Sequence, residues 1–361
     1  DANAESDSEG HSNSLLTEIG MAFTVAFSVG IFASSWIITR WITAYLVRRA
    51  ILDHPNARSS HVTPTPRGGG LAVLIILIPL IAIINWHYDP TNNAVWAMLA
   101  GIVLLAVISW IDDLGHLSVL LRLAGHGVAV AVVLTMIPEN HLLLQGHLPL
   151  WADRILTGIA WVWFINLFNF MDGIDGLAGT ETVMIGLGVF IIMLVIGSDG
   201  GKPAIAMALI ALALAAATGG FLVLNWSPAR VFLGDVGSVP LGFITGWMLL
   251  MLAMWGYWLA ALILPAYYLA DATLTIVRRA MNKAPIWKAH SEHFYQHAVQ
   301  RGFSHARVTL FILRGNIMLF ALALTSAQVV NWIGDILCLT GAVAIVIIML
   351  VWMAHAQPDA G

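Results

Sequence analysis

Long apolar runs separated by short polar breaks dominate the pattern along the chain. A helix needs about 20 mainly apolar residues to cross a bilayer, and eleven runs come close to that length. The runs are solidly apolar rather than alternating, which predicts helices and not a β-barrel. A split at Trp255–Tyr257 separates the eighth run from the ninth. The predicted spans cover residues 20–46, 71–88, 94–111, 118–137, 153–169, 178–197, 204–224, 238–256, 258–276, 308–327 and 333–354.

Composition also places the chain in a membrane. Of the 361 residues, 59% are hydrophobic and only 10% are charged, whereas a soluble domain carries about 25% charged residues. This excludes an ordinary cytosolic enzyme, a disordered protein and a nucleic-acid binder. The predicted fold is all-α, a polytopic membrane protein of eleven transmembrane helices. We expect an acidic tail at 1–19, native or left from expression, a single transmembrane catalytic domain at 20–354 and a C-terminal tail at 355–361.

Lys and Arg collect in alternate loops, and cytoplasmic loops are the ones that carry such residues. The opposite loops hold only Arg154 and Lys202. This asymmetry predicts an N-terminus outside and a C-terminus inside. The basic residues of the predicted cytoplasmic loops are Arg48, Arg49, Arg58, Arg67, Arg122, Arg230, Arg278, Arg279, Lys283, Lys288, Arg301 and Arg307.

Carboxylates of the predicted cytoplasmic face form clusters at helix ends, and ionisable residues near a membrane mark functional sites. In the first cluster, Gly68–Gly70 open a helix and form either an anion cradle or a tight turn for close packing. Arg58 and Arg67 favour an anion there.

In the second cluster, Asp112 and Asp113 repel each other, as in sites that handle a cation or a proton. Arg122 either pairs with them or holds a phosphate.

Three further clusters lie on the same predicted face. Residues 166–179 carry two Asn, two Asp and three Gly, and oxygen ligands at this density suit Mg²⁺. In a later loop, Asp235 stands between two glycines. His290 and His293 lie in the longest inner loop and are suited to bonding phosphate oxygens. The role of Asp271 is left open between a functional residue and a buried partner of Arg278 or Arg279. Together the clusters predict phosphoryl transfer between a cytosolic nucleotide compound and a lipid.

From Asp53 to Arg307 the motifs resemble those of the polyprenyl-phosphate N-acetylhexosamine-1-phosphate transferases, glycosyltransferase family 4. The Asp-Asp pair, the Asn-x-x-Asp-Gly-x-Asp-Gly and Gly-Asp-x-Gly-Ser motifs and the His-rich loop appear in order. The resemblance implies Mg²⁺, or Mn²⁺ in its place, bound by Asn169 and Asp235. The resemblance assigns the site as follows: catalytic Asp112, Asp113, Asp172, Asp175, Asp235, His290 and His293; phosphate-binding Arg58, Arg67, Arg122, His290 and His293; nucleotide-binding Asn166, Asp172 and Asp175.

The His-rich loop indicates a branch of the family. His-Arg-Ser-His-x-Tyr-Gln is typical of O-antigen initiators that use 6-deoxy sugars such as FucNAc or QuiNAc, and residues 290–296 read His-Ser-Glu-His-Phe-Tyr-Gln. Ser291 replaces the usual Arg, so we expect Arg301 or Lys288 to supply the charge. A GlcNAc-1-phosphate transferase is the alternative donor class. A transporter or an inactive scaffold is the alternative of another kind.

The resemblance implies a complete reaction. A HexNAc-1-phosphate passes from a UDP-sugar to undecaprenyl phosphate, UMP is released, and surface polysaccharide synthesis such as that of O-antigen and lipopolysaccharide begins. We expect a multi-pass protein of the bacterial inner membrane with its active site facing the cytoplasm. Its partners are the UDP-sugar, undecaprenyl phosphate and membrane lipids, with no nucleic acid, and a homodimer is an open alternative to a monomer.

Overall fold

The computed structural model describes residues 20–55, 63–115, 117–196, 201–285, 290–329 and 331–357. Helices make up most of this part of the chain, together with an antiparallel pair of short strands, β1 (Leu52–Asp53) and β2 (Thr65–Pro66). The helices are α1 (Met21–Arg48), α2 (Gly70–Tyr88), α3 (Asn93–Gly115), α4 (Val119–Met136), α5 (Leu150–Phe170), α6 (Leu177–Ile196), α7 (Gly201–Asn225), α8 (Asp235–Leu252), α9 (Trp258–Ile263), α10 (Ala266–Met281), α11 (Phe294–Gln300), α12 (His305–Gln328) and α13 (Trp332–His355).

Nine helical segments of the described chain are long and apolar enough to cross a membrane. Eight of them coincide with predicted spans, and the other, Asp235–Ile263, joins the eighth predicted span to the start of the ninth. The fifth predicted span is the 21-residue helix α5, and the end of the ninth lies in the 16-residue helix α10. The predicted all-α, multi-span membrane fold is therefore confirmed, while its orientation stays a prediction.

The split that the sequence predicts at Trp255–Tyr257 is present as a kink between two helical segments, with non-helical backbone dihedrals at Gly256. A π-helical turn spans Ala253–Tyr257, and Gly256 adopts a φ of 97° within it, which glycine tolerates because it has no Cβ. Helical structure then continues through α9. It is interrupted at Pro265, where the missing N–H and the ring prevent an unbroken helix.

Two helices form the centre of the bundle. In the most apolar stretch of each helix, 78% of the residues are buried in α7 and 89% in Asp235–Ile263. The corresponding share is 11% in the peripheral helix α1. Helix α7 packs against α1, α2 and α6, and α8 packs against α3 and α5. Small residues permit these approaches: a Cβ on Gly220 would lie 2.3 Å from the Phe32 carbonyl oxygen. Such contacts are typical of helices that associate in a membrane.

The antiparallel course of the helices brings the polar clusters to one end of the bundle. The last turns of α3 and α5 and the first turns of α4, α6 and α8 meet there, joined by side-chain contacts between α3, α4 and α8 and between α5 and α8. The fold therefore assembles a single polar site from segments that are far apart in sequence.

Candidate active site

Arg67 joins two clusters that are separate in the sequence. Its Nη2 atom lies 2.8 Å from Asp113 Oδ1 and 2.8 Å from Asp235 Oδ1. The backbone holds Arg67 in place, because its segment forms a parallel bridge with Phe232, whose N–H donates to the Pro66 carbonyl at 2.8 Å. The guanidinium thus pairs with two carboxylates from different helices.

The three glycines after Arg67 serve close packing. The N–H groups of residues 68–70 donate to the carbonyls of residues 232–233 at 2.8 to 3.2 Å. A Cβ on Gly70 would lie only 2.2 Å from Gly237 Cα, so any larger residue would push α2 away from α8. Of the two sequence-based alternatives, the tight turn is the one found, because backbone carbonyls already use the N–H groups that an anion would need.

The adjacent carboxylates Asp112 and Asp113 have different partners. Asp113 accepts hydrogen bonds from the N–H groups of Asp235 at 3.2 Å and Val236 at 3.0 Å, and so caps the first turn of α8. Its side chain is 1% exposed. Asp112 instead lies 2.8 Å from Nη1 of Arg122. The repulsion that the sequence suggests is relieved because each carboxylate faces its own arginine.

Asp235 lies between the two arginines. Besides Arg67, the Nη1 atom of Arg122 approaches its Oδ2 at 3.7 Å. Its side chain is 18% exposed and lines the main cavity together with Arg122 and Asn169. Ser238, one helical turn further along α8, donates from Oγ to Asn169 Oδ1 at 2.8 Å. The amide and the carboxylate predicted to share an ion therefore face the same space.

Asp172 carries the most perturbed carboxyl of this end of the bundle. Burial, and after it the charge of Asp235, raise the pKa of Asp172 to about 7 against the opposing effect of Arg67. A carboxyl with this pKa is partly protonated at neutral pH. It would ionise fully if a cation entered beside it.

Asp175 fastens its loop to two other segments. Its Oδ2 accepts from the Ala229 N–H at 3.1 Å and lies 3.2 Å from His305 Nδ1. Thr309 donates its hydroxyl to the Asp175 carbonyl at 3.1 Å. Burial pushes the pKa of Asp175 upward, but the hydrogen bond and charge of His305 outweigh this effect and bring the pKa below its ordinary value. Asp175 is thus an ionised anchor between the loop and α12.

Asp271 organises the His-rich loop and is fully buried. Its Oδ1 lies 3.2 Å from His293 Nδ1 and accepts from the Phe294 N–H at 3.0 Å, while Oδ2 accepts from the Tyr267 hydroxyl at 2.8 Å. Tyr295 extends the contact by donating its hydroxyl to the Phe170 carbonyl at 3.1 Å. Asp271 therefore holds the loop against the end of α5, and the suggested arginine partner is wrong.

The arginines instead hold the loop at Glu292. Arg278 donates to the Glu292 carbonyl at 2.7 Å, and Arg279 forms an ion pair with the Glu292 carboxylate. His290, next to this pair, lines the main cavity with His293. Burial lowers the pKa of His290 to about 4, helped by the positive charges of His293, Arg279 and Arg278. His290 is therefore neutral at pH 7 until an anion binds beside it.

The main cavity runs between α4 and α5 and has a volume of about 1310 Å³. One end carries the polar side chains of Arg122, Asn166, Asn169, Asp235 and the two loop histidines. The wall beyond them is mostly apolar and reaches Glu139 and Arg154 at the opposite end of the bundle. A long apolar passage with a charged end is suited to an amphipathic ligand.

Comparison with known proteins identifies the family. The sequence profile described as glycosyl transferase family 4 matches residues 95–253. A probable undecaprenyl-phosphate N-acetylglucosaminyl 1-phosphate transferase of Bacillus subtilis is 30% identical over 307 residues, which cover 82% of this chain and 83% of that protein. The chain belongs to glycosyl transferase family 4. The resemblance predicted from the motifs is confirmed.

Two further relatives have the same general character. A decaprenyl-phosphate N-acetylglucosaminephosphotransferase of Mycolicibacterium smegmatis is 28% identical over 311 residues, covering 77% of this chain and 76% of that protein. A phospho-N-acetylmuramoyl-pentapeptide-transferase of Chlamydia trachomatis is 31% identical over 261 residues, covering 61% and 73%. This family 4 member is therefore a transferase and a multi-pass membrane protein.

The donor atoms at the polar end suit a divalent cation. Asn169 and Asp235 offer hard oxygen ligands to one cavity. Within the described residues, no group of three or more His, Cys, Asp and Glu side chains forms a metal cluster by itself. An ion in this family 4 member would therefore need the Asn169 amide or substrate phosphates as ligands.

The sequence alone missed several contributors to the site. His126 lies 3.3 Å from the Asn166 amide and lines the cavity, and Ser238 orients Asn169. For Asp271 the sequence left the role open, and the structure shows that it anchors the loop. A histidine and a buried aspartate inside apolar runs were the available signals. Asn166 is in the cavity as predicted, although its amide also donates to the Val162 carbonyl at 2.7 Å.

Two expectations about positive charge have different outcomes. Arg301 does not supply the missing charge of the His-rich loop, because it donates to the carbonyls of Met353, Ala354 and Ala356 at the end of α13. That part of the prediction is wrong. Arg58 and Lys288 lie outside the described residues, so their predicted roles stay predictions.

Replacing Asp271 with alanine should destabilise the protein by about 3–5 kcal/mol, the usual cost of removing one partner from a buried charged network. The His293 ring and two backbone N–H groups would be left without their acceptor. Thermal unfolding in detergent measures this loss. Thr275→Val is the matched control, since it removes only the 3.3 Å bond to the same carboxylate. Equal stability of Asp271→Ala and wild type would contradict the anchoring role.

Proposed function

We propose that this family 4 member transfers a HexNAc-1-phosphate from a UDP-sugar to undecaprenyl phosphate. The observation that carries the proposal is the cavity between α4 and α5, whose apolar wall crosses the bundle and ends at Arg122, Asn169, Asp235, His290 and His293. The relatives from Bacillus subtilis and Mycolicibacterium smegmatis, named as undecaprenyl-phosphate and decaprenyl-phosphate transferases, support the same reaction.

The apolar wall suits the hydrocarbon chain of the acceptor. Helix α4 has 18 residues and extends roughly 27 Å at 1.5 Å per residue, close to the thickness of a hydrocarbon core. Gly127 and Gly158 line the passage, and around Gly127 the space is open to at least 4 Å. A polyprenyl chain lying there would place its phosphate at the polar end.

The polar end is equipped to hold anionic groups. The Arg122 guanidinium is one-third exposed and faces the cavity, so it can donate hydrogen bonds to a phosphate without losing its bond to Asp112. His290 and His293 enter from the other side, and neutral His290 gains a proton when a phosphate binds. Asp113 caps α8 and bonds to Arg67, so it positions Asp235.

The reaction exchanges one phosphoanhydride for another. A phosphate oxygen of undecaprenyl phosphate attacks the phosphorus that carries the sugar, the bond to the UMP phosphate breaks, and UMP leaves as the anion. The nucleophile ionises near pH 6 without help, so catalysis rests on positioning and charge neutralisation. Mg²⁺, when bound, would offset the repulsion between the anionic nucleophile and the anionic donor.

Two observations bear on the sugar. The names of the Bacillus and mycobacterial relatives favour UDP-GlcNAc as the donor. The His-Ser-Glu-His-Phe-Tyr-Gln loop favours a 6-deoxy HexNAc such as FucNAc or QuiNAc, and with it O-antigen initiation. In the structure, Glu292 of this loop is bound by Arg278 and Arg279 and does not face the cavity. Glu292 therefore makes no contact that would select a sugar. We place UDP-GlcNAc first as the donor because the names of the relatives favour it.

Location follows from the charge pattern. The basic loops favour a cytoplasmic active site in the bacterial inner membrane, with residues 20–354 as one catalytic domain. The homodimer stays a prediction.

The test is incubation of purified protein in undecaprenyl phosphate micelles with UDP-GlcNAc and with 6-deoxy UDP-HexNAc donors, with and without Mg²⁺. UMP release and the diphosphate-linked lipid sugar are followed together. Formation of both with one donor supports the proposal and names the sugar. Absence of both with every donor, from protein that is folded by thermal unfolding, would contradict it.

The Mg²⁺ requirement should depend on pH. Asp172 has a pKa of about 7 and is protonated below it, so a cation entering at lower pH must displace a proton. We expect the Mg²⁺ concentration for half-maximal rate to fall about tenfold per pH unit as the pH rises toward 7, and to level off above it. Initial rates between pH 5.5 and 8.5 measure this. Asp172→Asn should flatten the dependence, and an unchanged slope in that variant would contradict the assignment.

A further inference from the structure

A buried carboxyl that the proposed reaction does not use lies inside the bundle. Glu181 in the second turn of α6 is 1% exposed, and Asn316 in the middle of α12 is 3% exposed. The Asn316 Nδ2 donates to Glu181 Oε2 at 2.6 Å. This bond links two helices that pack directly against each other.

Each member of the pair has one oxygen without a partner. Glu181 Oε1 and Asn316 Oδ1 are both buried and receive no hydrogen bond from the described residues. If Glu181 were ionised, both atoms would be acceptors with nothing to accept. A neutral carboxyl has one O–H donor, and a single bond from Oε1–H to Asn316 Oδ1 would satisfy both atoms. The two bonds would then close a cyclic acid–amide pair.

The surroundings offer no counter-charge. Among the described residues, no Arg, Lys or His forms an ion pair with Glu181. Tyr268 of α10 interacts electrostatically with Glu181, but its hydroxyl forms no hydrogen bond with the carboxyl. The hydroxyl of the neighbouring Thr180 forms none either. An unpaired carboxylate at this depth costs several kcal/mol, so the neutral form is the one that the site accommodates.

The pair fastens the elements that carry the Asp172–Asp175 loop. Helix α6 begins two residues after Asp175, and α12 holds Asp175 through His305 and Thr309. Thr309 and Asn316 are seven residues apart and so lie on one face of α12. The segment formed by the loop and α6 is therefore joined to α12 at two points. One is Asp175 with His305 and Thr309, beside the loop, and the other is Glu181 with Asn316, deeper in the bundle.

We propose that Glu181 is a neutral carboxylic acid locked in a cyclic pair with Asn316, and that this pair is a positioning device for the Asp172–Asp175 loop. The protonation state is independent of the proposed function. The positioning role rests on that function. The two are therefore tested by different measurements.

Infrared spectroscopy of the purified protein in lipid vesicles tests the protonation state. At pH 7, the wild-type spectrum should contain a carbonyl stretch of a protonated carboxylic acid, and the contribution of Asp172 cancels in a difference between variants. The difference spectrum against Glu181→Gln should show the loss of that band. A difference spectrum without the loss of a protonated-carboxyl band means that Glu181 is ionised and overturns the proposal, whatever the enzymatic assay shows.

Variants test the positioning role. Glutamine keeps both bonds, because its amide can donate to Asn316 Oδ1 while its oxygen accepts from Nδ2. Glu181→Gln should therefore keep kcat within about twofold, whereas Glu181→Ala should lower it about tenfold with little change in KM for the UDP-sugar. The matched control is Thr182→Val, a buried neighbour whose hydroxyl bonds only within α6. Glutamine and alanine variants that lose equal activity, or an alanine variant with wild-type kcat, would overturn the positioning role.

Discussion

Asp235→Asn is expected to lower kcat for sugar-phosphate transfer by about three orders of magnitude, the scale at which loss of a key electrostatic group acts. Asp235 lies between Arg67 and Arg122 and faces the cavity beside Asn169. Asparagine has the same shape, so the change removes charge and metal affinity while leaving packing intact. UMP release at saturating substrates measures the effect.

The control for this variant carries the same change at the other end of the bundle. Asp335→Asn, in the first turn of α13, lies far from the polar end and should leave kcat unchanged. Thermal unfolding of both variants shows whether a loss of activity reflects folding. Wild-type turnover by folded Asp235→Asn would remove Asp235 from the metal and catalytic assignments.

Gly127→Phe should raise KM for undecaprenyl phosphate at least about tenfold, because steric mismatch in an apolar pocket costs about 1–3 kcal/mol. Gly127 lines the apolar cavity and has no neighbouring atom within 4 Å of an added Cβ. The phenyl ring would occupy the space in which we expect the lipid chain to lie, without displacing protein atoms. KM for the UDP-sugar should stay near its wild-type value, since the sugar nucleotide does not use this passage.

The matched control is Gly30→Phe, the same change on a peripheral helix. Gly30 of α1 is exposed and also has open space around an added Cβ. Its KM for the lipid should equal that of wild type. If Gly127→Phe and Gly30→Phe gave the same lipid KM, the acceptor chain would not lie along α4 and α5. An equal rise in both KM values for Gly127→Phe would mean that the ring distorts the polar end.

The pattern of apolar runs determined the fold class. Hydrophobic stretches long enough to span a bilayer have few structural alternatives, because a backbone in lipid must satisfy its own hydrogen bonds. The positions of Pro265 and Gly256 show the limit. The sequence predicted the break at Gly256, where the helix kinks, but it placed Pro265 inside an unbroken ninth span, whereas the structure interrupts the helix there.

The motifs determined most of the candidate chemistry as well. Asp112, Asp113, Arg122, Asn169 and Asp235 stand at helix ends in a recognisable order, and the structure brings them to one end of the bundle. Residue type and spacing carry this information, because phosphates and hard cations require charged and oxygen-bearing side chains.

Only the tertiary structure decided which partner each group has. Asp112 and Asp113 are adjacent in sequence, yet one faces Arg122 and the other caps α8, and Asp271 meets His293 across 22 positions. The glycines after Arg67 turned out to allow close packing, that of Gly70 against Gly237 of α8, rather than to cradle an anion. Pairings of this kind depend on how helices approach each other, which small residues permit at particular points. Local sequence contains no record of the distant surface that each residue will meet.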